Sequence, residues 1–313
     1  MKIVILDGKT LGDDINLNIF NGDVEIYGTT EPEDVEKRIL DAEVVILNKI
    51  KLNESNLKNS KELKLICVAA TGYDNIDTDY CRQRGIAVCN VKGYSTQSVA
   101  QLTVSMVLSL MMHQKEYCDF VTSGKYTKSG VANRLSPTYY EMAGKTWGIV
   151  GLGDIGKQVA KVAEAFGCRV LAFKRTPDEN YNCVSLLRLI KESDIISVHL
   201  PASEETYGII SKDIIAKMKK NAIFVNVARG AVVDEEALCD AVLENKIAGI
   251  GVDVYSKEPF DENHCFNKIM DRSNVILTPH IAWGAYESRV RCLEEIKKNI
   301  ESFFLGEKRN RIV

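Results

Sequence analysis

Thr146-Trp-Gly-Ile-Val-Gly-Leu-Gly-Asp-Ile-Gly-Lys157 is the stretch on which the fold turns. Trp147 to Val150 reads as a buried strand that runs into Gly151-Leu-Gly153-Asp154-Ile155-Gly156. Helical spacing follows at Ile155, Val159, Val162, Ala163 and Phe166, Gly167 ends it, and Arg169 to Phe173 predicts a second strand. Strand, glycine turn, helix and strand in this order make the unit that binds a dinucleotide. Gly151 makes the tight turn, Gly153 admits a pyrophosphate to the backbone, and Gly156 lets the helix lie close to the strand. The amino end of the helix then faces the anion. The glycine spacing alone would say little; the flanking strands and helix give it meaning.

Upstream, short apolar runs alternate with helical stretches. Strands are predicted at Ile3–Leu6, Val24–Tyr27, Val44–Leu47, Leu65–Ala69 and Ile86–Cys89. Thr30-Glu-Pro-Glu-Asp34 has the residues of a helix start, with a cap, proline in the first turn and acids at the positive helix end. Gly85 suits a helix C-cap. Ser95 is placed to cap one long helix from about Thr96 to Val121, with Val99, Leu102, Thr103, Met106, Val107 and Leu110 on its buried face. Residues 122–143 are polar, irregular and rich in tyrosine, which predicts a packed arm or interface. Downstream, strands are predicted at Ile195–His199, Ala222–Asn226, Ala248–Val254 and Val275–Leu277, with Ser211 and Asp234 as helix caps. A helical pattern from Ala282 to Phe304 is expected to lead back to the first domain. The alternation implies an α/β protein of two doubly wound parallel-sheet domains. A Rossmann-type cofactor domain (98–283) would be inserted in a flavodoxin-like substrate domain (1–97 and 284–313).

Composition excludes several classes. With 313 residues, 45% hydrophobic and 27% charged, the chain can bury two cores. A net charge of -3 gives nucleic acid or an anionic membrane no electrostatic handle. Nine cysteines with no C-x-x-C pair suit reduced thiols in a cytoplasmic protein better than a disulfide framework or zinc site. No apolar run approaches the ~18 residues of a membrane span, and Lys2-Ile-Val-Ile-Leu6 is a strand, not a signal peptide. Asn53-Glu-Ser55 reads as a chance match to a glycosylation acceptor.

In open parallel sheets, ligands bind beyond the carboxyl ends of the strands. Arg229, Glu258 and His280 each follow a predicted strand there. A hydride-carrying cofactor leaves the protein to supply a proton and a grip on the substrate. Histidine, with an ordinary pKa of ~6.5, suits the proton role, and a carboxylate partner holds one tautomer. Arginine clamps a carboxylate in bidentate fashion. Together the three would suit a 2-oxo acid. Taken singly, His280 could cap a turn, Glu258 could be a surface acid, and Arg229 could pair with any carboxylate. His113, His199 and His264 receive no chemistry, although His199 ends a strand before Pro201.

Six segments in order resemble the D-isomer-specific 2-hydroxyacid dehydrogenases over essentially the whole chain. They are Ala70-Thr-Gly-Tyr-Asp-Asn-Ile-Asp77, Gly93-Tyr-Ser-Thr-Gln-Ser-Val-Ala100, the Gly151 turn, Asn226-Val-Ala-Arg-Gly230, Gly251-Val-Asp-Val254 through Glu258-Pro259, and Thr278-Pro-His280. The resemblance implies His280 as acid/base, Glu258 as its partner and Arg229 as the substrate clamp. It implies the Thr71-Gly72 backbone at the substrate carboxylate, and Asp253 at the nicotinamide amide. With it, the cofactor set becomes Gly151, Gly153, Asp154, Ile155, Gly156, Lys174, Arg175, Thr176, Pro201, Val227, Ala228 and Asp253. Substrate would sit between the domains. Gly93-Tyr-Ser-Thr and His280-Ile-Ala-Trp283 most resemble the glycerate dehydrogenases, also called hydroxypyruvate reductases. A homodimer is implied, with the 122–143 arm and the long helix as its interface.

One position departs from the pattern. The second strand of such a unit normally ends in an acid that bonds the ribose hydroxyls. Here the run is Ala172-Phe-Lys174-Arg175-Thr176, with no acid before Asp178. This favours NADP over NAD. The expected activity is therefore NAD(P)-dependent reduction of a 2-oxo acid, such as hydroxypyruvate or glyoxylate, to its D-2-hydroxy acid. Alternatives are a dehydrogenase of the same family for D-lactate or 3-phosphoglycerate, or a nucleotide-sensing scaffold resembling the corepressors of this fold.

Overall fold

A computed structural model describes residues 1–313. The chain folds as two compact units, Met1–Ser95 with Trp283–Val313, and Thr96–Ala282.

In the first unit the strands are β1 (Lys2–Ile5), β2 (Asp23–Ile26), β3 (Val44–Leu47), β4 (Leu65–Val68) and β5 (Ala87–Cys89). They form one sheet in the order β2-β1-β3-β4-β5, and every pairing is parallel. Its inner strands β3 and β4 are apolar and buried on both faces, as a covered parallel sheet requires, while the edge strand β2 carries Asp23 and Glu25. Ile3, Ile5, Val44 and Ile46 face one core, while Val4, Leu6, Val45 and Leu47 face the other. The helix Tyr286–Phe304 packs Cys292, Leu293, Ile296 and Ile300 into the first of these cores, so the end of the chain does return to this unit.

The second unit contains β6 (Thr146–Val150), β7 (Arg169–Phe173), β8 (Ile195–Val198), β9 (Ile223–Asn226), β10 (Gly249–Val252) and β11 (Val275–Leu277). The sheet order is β11-β10-β9-β8-β6-β7, again all parallel. The order reverses between β6 and β8, which is where a doubly wound sheet opens its ligand crevice. Beyond β7, Cys183 makes an isolated parallel bridge to Ala172, the remnant of a further strand.

Four local expectations are corrected. The long helix is two, Thr96–Met111 and Gln114–Thr122, broken where His113 turns left-handed at φ 49. A non-glycine residue in that region carries no sequence signature, so the break was hidden. Thr30 is not a helix cap: its hydroxyl donates to the Leu6 carbonyl, and Asp34 precedes the short helix Val35–Arg38. Phe166, the C-cap of the helix Asp154–Ala165, is exposed instead of packed. The last helix begins at Tyr286, not Ala282, because the amides of Ile281 and Ala282 bond the Asp253 carboxylate instead of entering a helix. No helix is long and apolar enough to cross a membrane.

Candidate active site

The Gly151 turn leaves β6 and enters the helix Asp154–Ala165. Gly151 is left-handed at φ 101, and a Cβ there would lie 2.8 Å from the His199 carbonyl carbon. A Cβ on Gly156 would lie 2.2 Å from the Gly151 carbonyl oxygen. The chain's own packing therefore demands both glycines. Gly153 differs. Its φ of -87 is ordinary, and a Cβ there would meet nothing within 4 Å. Nothing in the protein requires a glycine at that point, whereas close approach of a pyrophosphate does. Gly153 is also the N-cap of the helix, so no side chain covers the amino end. These features fit a dinucleotide.

At the end of β7 lies a cluster of charges. Lys157, from the first turn of the helix, pairs with Asp178 at 2.7 Å, and Lys174 lies 3.8 Å from the same carboxylate. The Lys157 ammonium holds the Asp178 carboxyl down at about 2, helped by the Asn180 amide. Arg175 pairs with Glu205 at 2.8 Å, and both are exposed. Thr176 is exposed as well. Lys174 and Arg175 are thus not bare cations; each has a carboxylate near it that the sequence did not place there.

Pro201 is exposed after β8, and its carbonyl accepts from the Thr206 hydroxyl at 2.6 Å. Val227 and Ala228 are buried after β9. His199 follows β8 directly and lies against the Gly151 turn, its amide donating to the Val150 carbonyl at 2.7 Å. Trp147 Nε1 can only donate, so Ser197 Oγ accepts from it at 2.9 Å. The Ser197 hydroxyl then donates to His199 Nε2 at 2.9 Å, which leaves the proton of the neutral ring on Nδ1. That Nδ1 is buried with no partner in the chain. Burial depresses the His199 pKa to about 3, so the ring stays neutral. The sequence signal was the strand end beside the turn; the Trp147 and Ser197 contacts were not legible.

β9, β10 and β11 are neighbours, so their carboxyl ends bring Arg229, Glu258 and His280 to one edge of the sheet. Gly230 packs so tightly on the next segment that a Cβ would lie 2.0 Å from the Tyr255 carbonyl carbon. Asn226 shapes the turn before it, accepting from the Ala228 amide at 3.0 Å and donating to the Arg229 carbonyl at 2.9 Å. The Arg229 guanidinium is half-buried and donates to the Ala228 carbonyl at 2.8 Å, with no carboxylate partner in the chain.

His280 Nδ1 lies 2.6 Å from Glu258 Oε2. The other Glu258 oxygen accepts from the Tyr255 amide at 3.0 Å. An ionised carboxylate can only accept, so Nδ1 donates, and the tautomer of the neutral ring is fixed with its proton toward Glu258. His280 is left-handed at φ 54, and its amide is tied to the Asp253 and Thr278 carbonyls at 2.9 and 3.0 Å. The fully buried Asp253 holds this turn: its carboxylate accepts from Thr278 Oγ1 at 2.5 Å and from the Ile281 and Ala282 amides, both at 2.9 Å. Burial raises the Asp253 pKa, and those three donors oppose the rise. Asp253 thus braces the His280 turn, a role the sequence did not disclose.

In the first unit, the Thr71 hydroxyl donates to the Val91 carbonyl at 2.8 Å, and its own carbonyl accepts from Asn90 Nδ2 at 2.7 Å. Those bonds hold the turn that carries the Thr71 and Gly72 amides. There is no cluster of side chains that could hold a metal ion, and all nine cysteines are free thiols.

Known proteins agree with this frame. Residues 104–282 match the family described as "D-isomer specific 2-hydroxyacid dehydrogenase, NAD binding domain". A glycerate dehydrogenase of Methylorubrum extorquens is 34% identical over 310 residues, 99% of this chain and 98% of that one. The D-lactate dehydrogenase of Aquifex aeolicus, solved with NAD and lactic acid, is 32% identical with a TM-score of 0.83, covering 98% of this chain and 96% of its own. An acyclic imino acid reductase solved with NADPH and D-Arg is 27% identical with a TM-score of 0.85, and each chain is covered in full. With its fingerprint turn, its two parallel sheets and this full-length similarity, the chain belongs to the D-isomer-specific 2-hydroxyacid dehydrogenase family.

Proposed function

We propose that the protein is an NAD(P)-dependent dehydrogenase that reduces a small 2-oxo acid to its D-2-hydroxy acid, with hydroxypyruvate to D-glycerate as the leading substrate pair. The observation that carries the reading is the His280–Glu258 bond of 2.6 Å on the same sheet edge as an Arg229 that has no carboxylate partner in the chain. Glu258 accepts from Nδ1–H, fixes the tautomer and stabilises the charged ring. His280 Nε2 then holds the proton that the substrate carbonyl oxygen receives on reduction. The Arg229 fork pairs the substrate carboxylate and fixes which atoms face the imidazole. When bound, the nicotinamide supplies the hydride. Gly151, Gly153, Asp154, Ile155 and Gly156 would hold the pyrophosphate, and Pro201, Val227 and Ala228 are assigned to the same cofactor. Asp253 is assigned to the nicotinamide amide, alongside its bracing role. The Thr71 and Gly72 amides are assigned to the substrate carboxylate. The similarity to a glycerate dehydrogenase over 99% of this chain favours hydroxypyruvate over pyruvate or 3-phosphoglycerate.

NADP is the favoured cofactor. No acid ends β7 itself, and the cations Lys157, Lys174 and Arg175 gather there, with Asp178 and Glu205 as their carboxylate partners. A 2′-phosphate would take over Arg175 from the exposed Glu205, with Thr176 as a further donor. One charge-assisted bond of ~1.5–3 kcal/mol would give roughly a ten- to hundredfold preference. The test is kcat/KM for NADPH and NADH with hydroxypyruvate, glyoxylate, pyruvate and phosphohydroxypyruvate, on wild type and on Lys174→Asp/Arg175→Ala. We expect turnover of hydroxypyruvate and a preference for NADPH that the double variant erases. A tenfold preference for NADH in wild type overturns the phosphate reading alone. Dinucleotide binding without turnover of any 2-oxo acid would make the chain a nucleotide-sensing scaffold.

The assembly is assigned as a homodimer. The outer face of the helices Thr96–Met111 and Gln114–Thr122 and the arm that follows form a groove of about 730 Å³, lined by Leu108, Met112, Tyr117, Leu135 and Tyr139. Leu135 is 78% exposed and Tyr140 65%. The arm from 130 to 141 buries almost nothing within its own chain, and apolar surface of that extent calls for a partner.

A further inference from the structure

Outside the proposed proton pair lies a second histidine–glutamate pair. Glu235 opens the helix Glu235–Leu243, next to the Asp234 cap. Its Oε1 accepts from the Ser256 amide at 2.9 Å, and its Oε2 accepts from the Ser256 hydroxyl. Oε2 also lies 3.1 Å from His264 Nε2. The His264 tautomer follows from its other nitrogen: Nδ1 accepts from the Phe266 amide at 3.3 Å, so Nε2 carries the proton and donates to Glu235. The two side chains are only 9% and 13% exposed. The His264 ring lies 4.9 Å from Phe260 and 5.0 Å from Phe266, which closes the pair off from water. This carboxylate therefore spends three bonds on an irregular loop, at its start through Ser256 and at its end through His264.

That loop carries Glu258. Tyr255, the neighbour of Ser256, donates its amide to Glu258 at 3.0 Å, and its hydroxyl donates to the Thr278 carbonyl at 2.9 Å. Glu258 itself is more exposed than Glu235, and no regular element holds it. We propose that Glu235 and His264 are positioning residues for the proton transfer: by fixing Ser256 and the far end of the loop, they keep Glu258 on His280 Nδ1. The proposal rests on the reading of His280 and Glu258 as the proton pair. Neither Glu235 nor His264 is assigned a contact with substrate or cofactor. Other charges near the loop are the Lys257–Asp261 pair at 3.0 Å, Glu262 within it, Glu236 next to Glu235, Arg229 beside the Gly230 that packs on Tyr255, and the buried Asp253 beside His280, and the substitutions below leave these in place.

The experiment compares pH–rate profiles for 2-oxo acid reduction in Glu235→Ala, Glu235→Gln, His264→Gln, Glu258→Gln and Glu235→Ala/Glu258→Gln. Reduction needs a protonated imidazole, and a carboxylate beside it keeps it protonated to higher pH. Releasing Glu258 should therefore move the alkaline fall in turnover to lower pH, as Glu258→Gln does. We expect Glu235→Ala to shift the profile in that direction, with turnover lowered roughly tenfold through misplacement of the pair. Affinity for the reduced cofactor should stay within about twofold of wild type, and the double variant should match Glu258→Gln alone. Glu235→Gln keeps the shape but loses an acceptor, so it gives a smaller shift and serves if the alanine variant does not fold. A purely structural role would lower Tm and yield while leaving the profile of the folded enzyme in place, and that result overturns the proposal. A double variant additive in its losses overturns it as well. If Glu258→Gln itself leaves the profile unmoved, the proton-pair reading fails first and the proposal falls with it.

Discussion

At the scale of the residue, the proposed chemistry rests on one bond, His280 Nδ1 to Glu258 at 2.6 Å. His280→Gln should keep fold and cofactor binding while lowering turnover by roughly 10² to 10⁴, the ordinary value of a positioned acid/base. Turnover near neutral pH within a few-fold of wild type would remove His280 from the proton step. Arg229→Lys keeps the charge and loses the fork. It should raise KM for the 2-oxo acid and lower kcat while NADPH affinity stays put, and a change in NADPH affinity alone would place Arg229 on the cofactor instead. His199 makes a different prediction, because its ring is held neutral with a pKa of about 3. The unfolded chain takes up that proton near pH 6.5 and the folded chain does not, so stability is lost as pH falls from about 6.5 toward 3. Between pH 7 and pH 4.5, wild type should lose roughly 2–3 kcal/mol more than His199→Gln. Urea unfolding at the two pH values measures this, and parallel losses would show that His199 titrates normally in the folded state.

At the scale of the element, the glycine turn separates what the chain needs from what its ligand needs. Gly156→Ala drives a Cβ to within 2.2 Å of a backbone oxygen, so the helix must move. Overpacking of this kind costs about 1–3 kcal/mol and should show as a lower Tm without any cofactor present. Gly153→Ala meets open space, so Tm of the cofactor-free protein should hold while NADPH affinity falls tenfold or more. Fluorescence titration with NADPH decides the second half. Unchanged affinity in Gly153→Ala would mean that no pyrophosphate approaches that amide. The left-handed turn at His280 is the other element of this kind. Asp253 supplies the acceptor that three donors of the 278–282 segment would otherwise lack.

At the scale of the whole molecule, the prediction concerns assembly. Sedimentation of wild type should give the mass of two chains, and Leu135→Asp/Tyr139→Asp should give one. A wild type that sediments as a monomer at micromolar concentration would leave the exposed apolar arm unexplained by a second copy. Desolvating a carboxylate on an apolar face costs enough to dissociate an interface of ordinary size.

Much of this was legible in the residue order because it rests on local rules. Period-two and period-3.6 patterns follow from strand and helix geometry, and an apolar run with no polar alternation is what a sheet covered on both faces requires. The strands therefore appeared within a residue or so of their places, from Lys2–Ile5 to Val275–Leu277. The glycines of the fingerprint were legible because each answers a steric demand of backbone on backbone or backbone on ligand. The placing of Arg229, Glu258 and His280 past three strand ends was legible from the strand pattern, and that β9, β10 and β11 are neighbours puts them on one edge of the sheet. The tertiary structure alone decided the rest. The break at His113, the late start at Tyr286, the carboxylates beside Lys174 and Arg175, the Trp147–Ser197–His199 chain and the Glu235–His264 pair all depend on partners far away in sequence. A side chain's hydrogen-bond partner is set by where two distant segments meet. Residue order specifies such a meeting only through the whole fold, so no local pattern announces it.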